Sequence, residues 1–123
     1  MQTTVQIRSG PLVGAVLSRV VGMLAARAQC PIDRLDDALL VTDAVAAHAP
    51  ARSRDGHVQV AVDTRETGLE LRVMHLQPDG ARAMMHDADL PGVGNIFEQI
   101  ADEVRTETDD DGEQLVVRIG FVA

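Results

Sequence analysis

The 123-residue chain is 46% hydrophobic but has no Trp or Tyr and only two Phe, so its core must be aliphatic, and intrinsic disorder is excluded. Its formal net charge of −8, with all eleven basic residues arginine, opposes nucleic-acid binding, which relies on clustered cations. The lone Cys30 makes no internal disulfide and suits a reducing compartment, so a cytoplasmic location is expected.

The length fits one domain over residues 1–123. "TTVQIRS" alternates Val5 and Ile7 with polar neighbours and reads as a short strand. Pro11 suits a first helical position, and a helix is predicted over 11–28 with Val13, Val16, Leu17, Val20 and Leu24 on one stripe. Arg19 and Arg27 interrupt this stretch, so it is not read as membrane-spanning. Gly14, Ser18 and Gly22 recur every four residues along it. A glycine in a helix interior costs about 1 kcal/mol relative to alanine, so a second backbone is expected close by, from internal packing or a homodimer seam.

"IDRLDDALLVTDAVAAHA" gives a second helix over 32–49, with Asp33, Asp36 and Asp37 in its first turns and Ile32, Leu35, Leu39, Thr42 and Val45 inward. Pro50 follows its end, and 51–56 is a loop. Strands at 57–64 and 69–76 are joined by the hairpin turn "RETG". Residues 77–92 show no convincing period and read as a long loop, functional or mobile. A third helix is predicted over 94–104, with Ile96, Phe97, Ile100 and Val104 inward. "RTETD" is a candidate strand, "DDDG" a turn, and 113–122 a strand. Helices do not alternate one-for-one with strands, so the fold class is α+β: a mainly antiparallel sheet with three helices on one face.

Charge is uneven along the chain. Residues 1–30 carry three arginines and no acid, whereas 98–113 carry eight acids and one arginine. The acidic run is either a solvated face or a surface for a basic partner.

The four histidines show no metal-ligand spacing, no serine lies in a GxSxG setting, and no lysine exists to serve a P-loop. The remaining candidate is "LPGVGNIFEQIADEV", where Gly92, Val93 and Gly94 precede a helix start able to hold an anion through free backbone N–H groups.

That stretch is similar to the second glycine box of the anti-sigma factor serine kinases, within the GHKL superfamily (gyrase, Hsp90, histidine kinase, MutL). "LDDALLVTDAVAAHA" is similar to the helix bearing that family's first box, and the element order matches over essentially the whole chain. The resemblance implies a two-layer Bergerat-type sandwich. It implies Asp43 at the position of the general base, His75 at the adenine-binding position, and Gly92, Val93 and Gly94 on the phosphates of ATP.

Several residues depart from the family pattern. Asp43 is one methylene shorter than the family's Glu, and Ala47 stands where an Asn ligates Mg²⁺. His75 replaces the adenine-binding Asp, Gln77 and Asp79 replace two glycines, and Gly112-Glu113 replaces Gly-Thr. No metal ligand set is assigned. The expectation is therefore a regulatory protein of a bacterial partner-switching system, binding a sigma factor or a STAS-domain antagonist with weak or no ATP use. The alternative is an active serine/threonine kinase using ATP and Mg²⁺. Neither nucleic acid nor membrane is an expected partner; a homodimer is compatible.

Overall fold

A computed structural model describes residues 1–110 and 112–121. The elements in chain order are β1 (Gln2–Arg8), α1 (Val13–Arg27), α2 (Ile32–Arg52), β2 (His57–Arg65), β3 (Gly68–Leu76), α3 (Gly80–Asp87), β4 (Asp89–Leu90), β5 (Gly94–Asn95), α4 (Ile96–Ile100), β6 (Glu103–Asp109) and β7 (Gly112–Gly120). The fold is α+β. Five strands form an antiparallel sheet in the order β1-β2-β3-β7-β6, and β4 and β5 form a separate small hairpin.

Strand alternation decides which face is covered. Thr3, Val62, Leu71, Val117 and Val104 share one row across the sheet. Val62, Leu71 and Val117 are buried together with Val21, Leu24, Val41 and Val45 of the helices in one core cluster. Phe97 and Met84 belong to the same cluster and have no exposed surface. The opposite face carries charge. Arg72 bonds Glu107 at 2.5 Å and Gln114 at 2.6 Å, while Arg105 bonds Glu107 at 2.9 Å and Glu103 at 3.1 Å. These hydrogen bonds, Arg105 first and Arg72 second, hold the Glu107 carboxyl below its usual range, and the bond to Glu107 raises Arg105.

The helices differ from expectation in several ways. There are four among the described residues rather than three. α1 begins at Val13, with Leu12 rather than Pro11 at its boundary, and it buries Val13, Leu17, Val21, Leu24 and Ala25 while Val16 and Val20 remain half-buried. The inner face of α2 is rotated to Ala38, Val41, Thr42, Val45 and Ala49, leaving Ile32 77% exposed. α2 also runs through Pro50 to Arg52. A proline so near a helix end removes one backbone donor late in the ladder, and the Ser53 hydroxyl donates to Ala49 O at 2.7 Å.

The expected loop 77–92 contains α3 and β4. α3 turns Ala81 and Met84 inward, and Ala88 just beyond it is also buried, but eight residues are too few for a helical period to stand out in sequence. Gly80 lets α3 approach α2 and β3: a Cβ there would lie 3.0 Å from Leu76 Cβ and 3.2 Å from Arg52 O.

The expected helix 94–104 shrinks to α4, because Gly94 and Asn95 belong to β5 and the chain is extended again at Ala101. Val104, expected on the helix, instead faces the core from β6. The "RTETD" strand is present within β6. Asp111 of the expected turn and Val122 of the expected last strand lie outside the described residues.

Candidate functional site

Asp43 lies on the exposed side of α2 and accepts a hydrogen bond from the Ser18 hydroxyl of α1 at 3.2 Å. Ala47, one turn on, is exposed and presents only a methyl group. A Cβ added to Gly14 would sit 3.7 Å from Ala46 Cβ, an ordinary contact distance, so Gly14 faces α2 but the α1–α2 packing does not require a glycine there.

His75 sits where β3 leaves its register with β7, the pairing shifting between Val73 and Leu76. Its backbone is left-handed, with φ 61°, and so are those of Asp55 and Asp79. Asp and His tolerate this region better than most side chains, though it still costs about 1–2 kcal/mol. His75 Nε2 lies 3.0 Å from Asp55 Oδ2, and His57 Nδ1 lies 2.8 Å from Asp55 O.

Gly92 and Gly94 take different roles in the β4–β5 hairpin. Leu90-Pro91-Gly92-Val93 is a tight turn closed by Val93 N–H donating to Leu90 O at 3.0 Å. Pro at the second position and Gly92 at the third, with φ 78°, are the requirements of a type II turn. Gly94, with φ 104°, lies next to the Gln99 side chain, whose amide donates to Val93 O at 2.5 Å. Gly94 therefore does not open the helix directly.

Asn95 stands between Gly94 and α4 and caps it. Its Oδ1 accepts from Phe97 N at 3.0 Å and Glu98 N at 3.4 Å, and its Nδ2 donates to Met85 O at 2.7 Å. The sequence carried this signal: Asn followed three residues later by Glu is the pattern of a capped helix start. The start of α3 is also capped. Glu113 of β7 accepts from the backbone N–H of Asp79 and, at 3.2 Å, from that of Ala81. In the sequence, Glu113 stands out only as a departure from the family's Gly-Thr.

Five of the seven described acids in the expected acidic run have internal partners, Asp109 among them through the Gln114 amide. Asp102 pairs with Arg34 at 2.8 Å, Glu103 and Glu107 pair with Arg105, and Glu113 holds α3. Arg34 also donates to Asp37 and to Gly120 O, joining the start of α2 to the end of β7. Next to it, burial raises the Cys30 thiol above its ordinary pKa, and the Arg34 charge offsets part of that rise.

The candidate residues thus fall into three separately bonded groups: Asp43 with Ser18, His75 with Asp55, and the two glycines within their own hairpin. A cleft beside that hairpin is lined by Arg82, Met85, His86, Asp89, Asn95 and Glu98, and none of the three groups contributes to it. Among the described residues, no group of three or more His, Cys, Asp or Glu side chains is placed to hold a metal ion. No helix among the described residues is long and apolar enough to cross a membrane.

The fold is shared with solved structures. The crystal structure of the RsbU and RsbW domains of Rv1364c from Mycobacterium tuberculosis matches with a TM-score of 0.64 and 10% sequence identity, covering 97% of this chain and 32% of that one. The chain thus spans about a third of that polypeptide. At this identity the likeness is one of fold. No protein-family model matches the sequence, and no curated protein matches it.

Proposed function

We propose that this chain is an anti-sigma-factor-like regulatory protein that acts by binding a sigma factor or a STAS-type antagonist, with little or no use of ATP. The observation that carries this reading is that the start of α4, which follows the glycine hairpin, and the start of α3 are already capped by the protein's own oxygens, Asn95 at α4 and Glu113 at α3. A phosphate binds a helix start through its free N–H groups and positive dipole end. Here those groups have internal acceptors, and at α3 a fixed carboxylate adds repulsion. Likeness of fold to a polypeptide containing an RsbW domain supports a partner-switching role.

The second reading is an ATP-dependent serine/threonine kinase, and one observation favours it: Asp43 keeps an exposed carboxylate on α2. Calorimetry with ATP and Mg²⁺ separates the two. The binding reading expects no metal-dependent submillimolar affinity, together with capture of a sigma factor or STAS protein from the native host. Metal-dependent submillimolar binding, or phosphate transferred to a co-purified STAS protein, would overturn it.

A further inference from the structure

The open face of the sheet carries a notch beside the β2–β3 turn. Arg65 on β2 pairs with Gly68 on β3, and Gly68 with Gly120 on β7, so this row has no side chain on two successive strands. Gly68 must stay bare: a Cβ there would lie 2.7 Å from Ile119 O. The cavity measures about 240 Å³, with Asp63, Arg65, Thr67, Glu70 and Arg118 on its walls. Pockets for drug-sized ligands run from about 300 to 1,000 Å³, so this one suits a smaller molecule.

Strand register sets the charges of the notch in a row. Asp63 on β2 pairs with Glu70 on β3, and Glu70 with Arg118 on β7. Neighbouring strands lie about 4.8 Å apart, so two carboxylates and then one guanidinium follow each other across the face. Asp63 lies 3.3 Å from Arg65. Glu70 is turned toward Arg72 at 3.3 Å and Arg105 at 3.8 Å. Glu103, on the other side of Arg118, pairs with Arg105 at 3.1 Å. Arg118 is exposed and makes no ion pair or side-chain hydrogen bond among the described residues, although acids flank it on both strands.

A guanidinium with its fork free matches a carboxylate through two parallel hydrogen bonds. A bare anion, however, would also meet Asp63 and Glu70, and like charges oppose it. Each of those carboxylates has about four acceptor sites, so both keep capacity for an N–H donor besides their arginines. The formal charges of Asp63, Glu70, Arg65 and Arg118 cancel, which suits a ligand of zero net charge with separated poles.

We propose that this notch binds a free α-amino acid, its carboxylate on Arg118 and its ammonium group on Glu70 and Asp63. The two poles leave the same carbon, so they fit the single-strand step between Glu70 and Arg118. Neither Asp43, His75 nor the glycine hairpin takes part, so the inference is independent of the proposed function. The notch is open to water, and a dissociation constant of about 1 mM is expected.

Titration with L-alanine, followed by ¹H–¹⁵N correlation spectra, tests this, with propionate and ethylammonium as its two separated halves. L-Alanine should shift the amide signals of Gly68, Glu70 and Arg118 saturably, and each half should bind about tenfold more weakly. Arg118→Gln should abolish the saturable change, whereas Arg19→Gln, on α1, should retain it. Absence of a saturable shift overturns the proposal. So does propionate binding as tightly as L-alanine, which marks a simple anion contact, or a change that survives Arg118→Gln. The spectra also report folding; if Arg118→Gln is unfolded, Asp63→Asn takes its place, with weaker L-alanine binding supporting the site and unchanged binding overturning it.

Discussion

Glu113, on β7, holds the first turn of α3 by accepting hydrogen bonds from the backbone N–H groups of Asp79 and Ala81. One side chain thus joins the last strand of the sheet to the helix that follows β3. The contact unites two elements far apart in sequence and fills the place where that helix would otherwise attract an anion.

Replacing Glu113 with Ala should lower stability by about 1–2 kcal/mol, the usual cost of losing a helix cap. Glu113→Gln should lose less, because its amide oxygen still accepts. Urea denaturation of the three proteins checks the order. Equal stability of Glu113→Ala and the parent would mean that the carboxylate does not cap α3 in solution.

Gly92 and Gly94 should respond to substitution as backbone positions. Gly92→Ala forces φ 78° onto a residue with a side chain, which costs about 1–2 kcal/mol, although open space lies around the site. Gly94→Ala adds a contact: its Cβ would fall 2.5 Å from Gln99 Nε2, so that side chain must move and release Val93 O. Thermal unfolding should therefore rank Gly94→Ala below Gly92→Ala. Inorganic phosphate should stabilise neither the parent nor the variants specifically; a midpoint rise in the parent that both variants lose would instead indicate an anion held by the glycines.

Phe97 is the largest of the fully buried side chains, and it lies in the short helix α4. Phe97→Ala should cost about 3–5 kcal/mol, measured by chemical denaturation. Phe97→Leu should cost less because it leaves a smaller cavity. A loss below about 1 kcal/mol for Phe97→Ala would mean that α4 is not seated in the core.

What could be read in the sequence depended on the range of the interaction. The sheet was legible because Val58, Val60 and Val62, and Leu69, Leu71 and Val73, alternate over whole strands. α3 was not, because its inward positions span only two turns. The long helix 94–104 arose because Val104 keeps helical spacing from Phe97 and Ile100 while its burial comes from the β6–β7 pairing. At the candidate site, Leu-Pro-Gly-Val and Asn-Ile-Phe-Glu did carry local signals for a type II turn and a capped helix start, but they lie within a motif that resembles a phosphate loop. The Glu113–α3 and Asp55–His75 contacts join residues 32 or 34 and 20 positions apart, and spacing along one chain does not disclose such pairings.

Acid should destabilise the uncovered face of the sheet through Glu107. Hydrogen bonds from Arg105 and Arg72 lower its folded pKa, so the folded protein binds fewer protons there than the unfolded chain. Its contribution is complete above the unfolded carboxylate pKa of about 4.3 and is lost as the pH falls through the lower folded value. Stability measured across acidic pH should therefore decline less steeply for Glu107→Gln than for the parent. Added salt should shrink the difference, because these groups are solvent-accessible.

Placing a metal ligand at position 47 gives a direct test of the proposal that the chain makes little use of ATP. Ala47 is exposed one turn beyond Asp43, so Ala47→Asn places an amide oxygen on the same side of α2 without disturbing the core. If Ala47 were the main obstacle, that change would create Mg²⁺-dependent ATP binding. The expected result is no submillimolar binding by calorimetry, since His75 remains with Asp55 and the starts of α3 and α4 keep their internal caps. Adding His75→Asp to Ala47→Asn should still fail, because the Glu113 carboxylate stays at α3. Binding created by Ala47→Asn alone would show that the internal caps yield to phosphate, and it would return the kinase reading to first place.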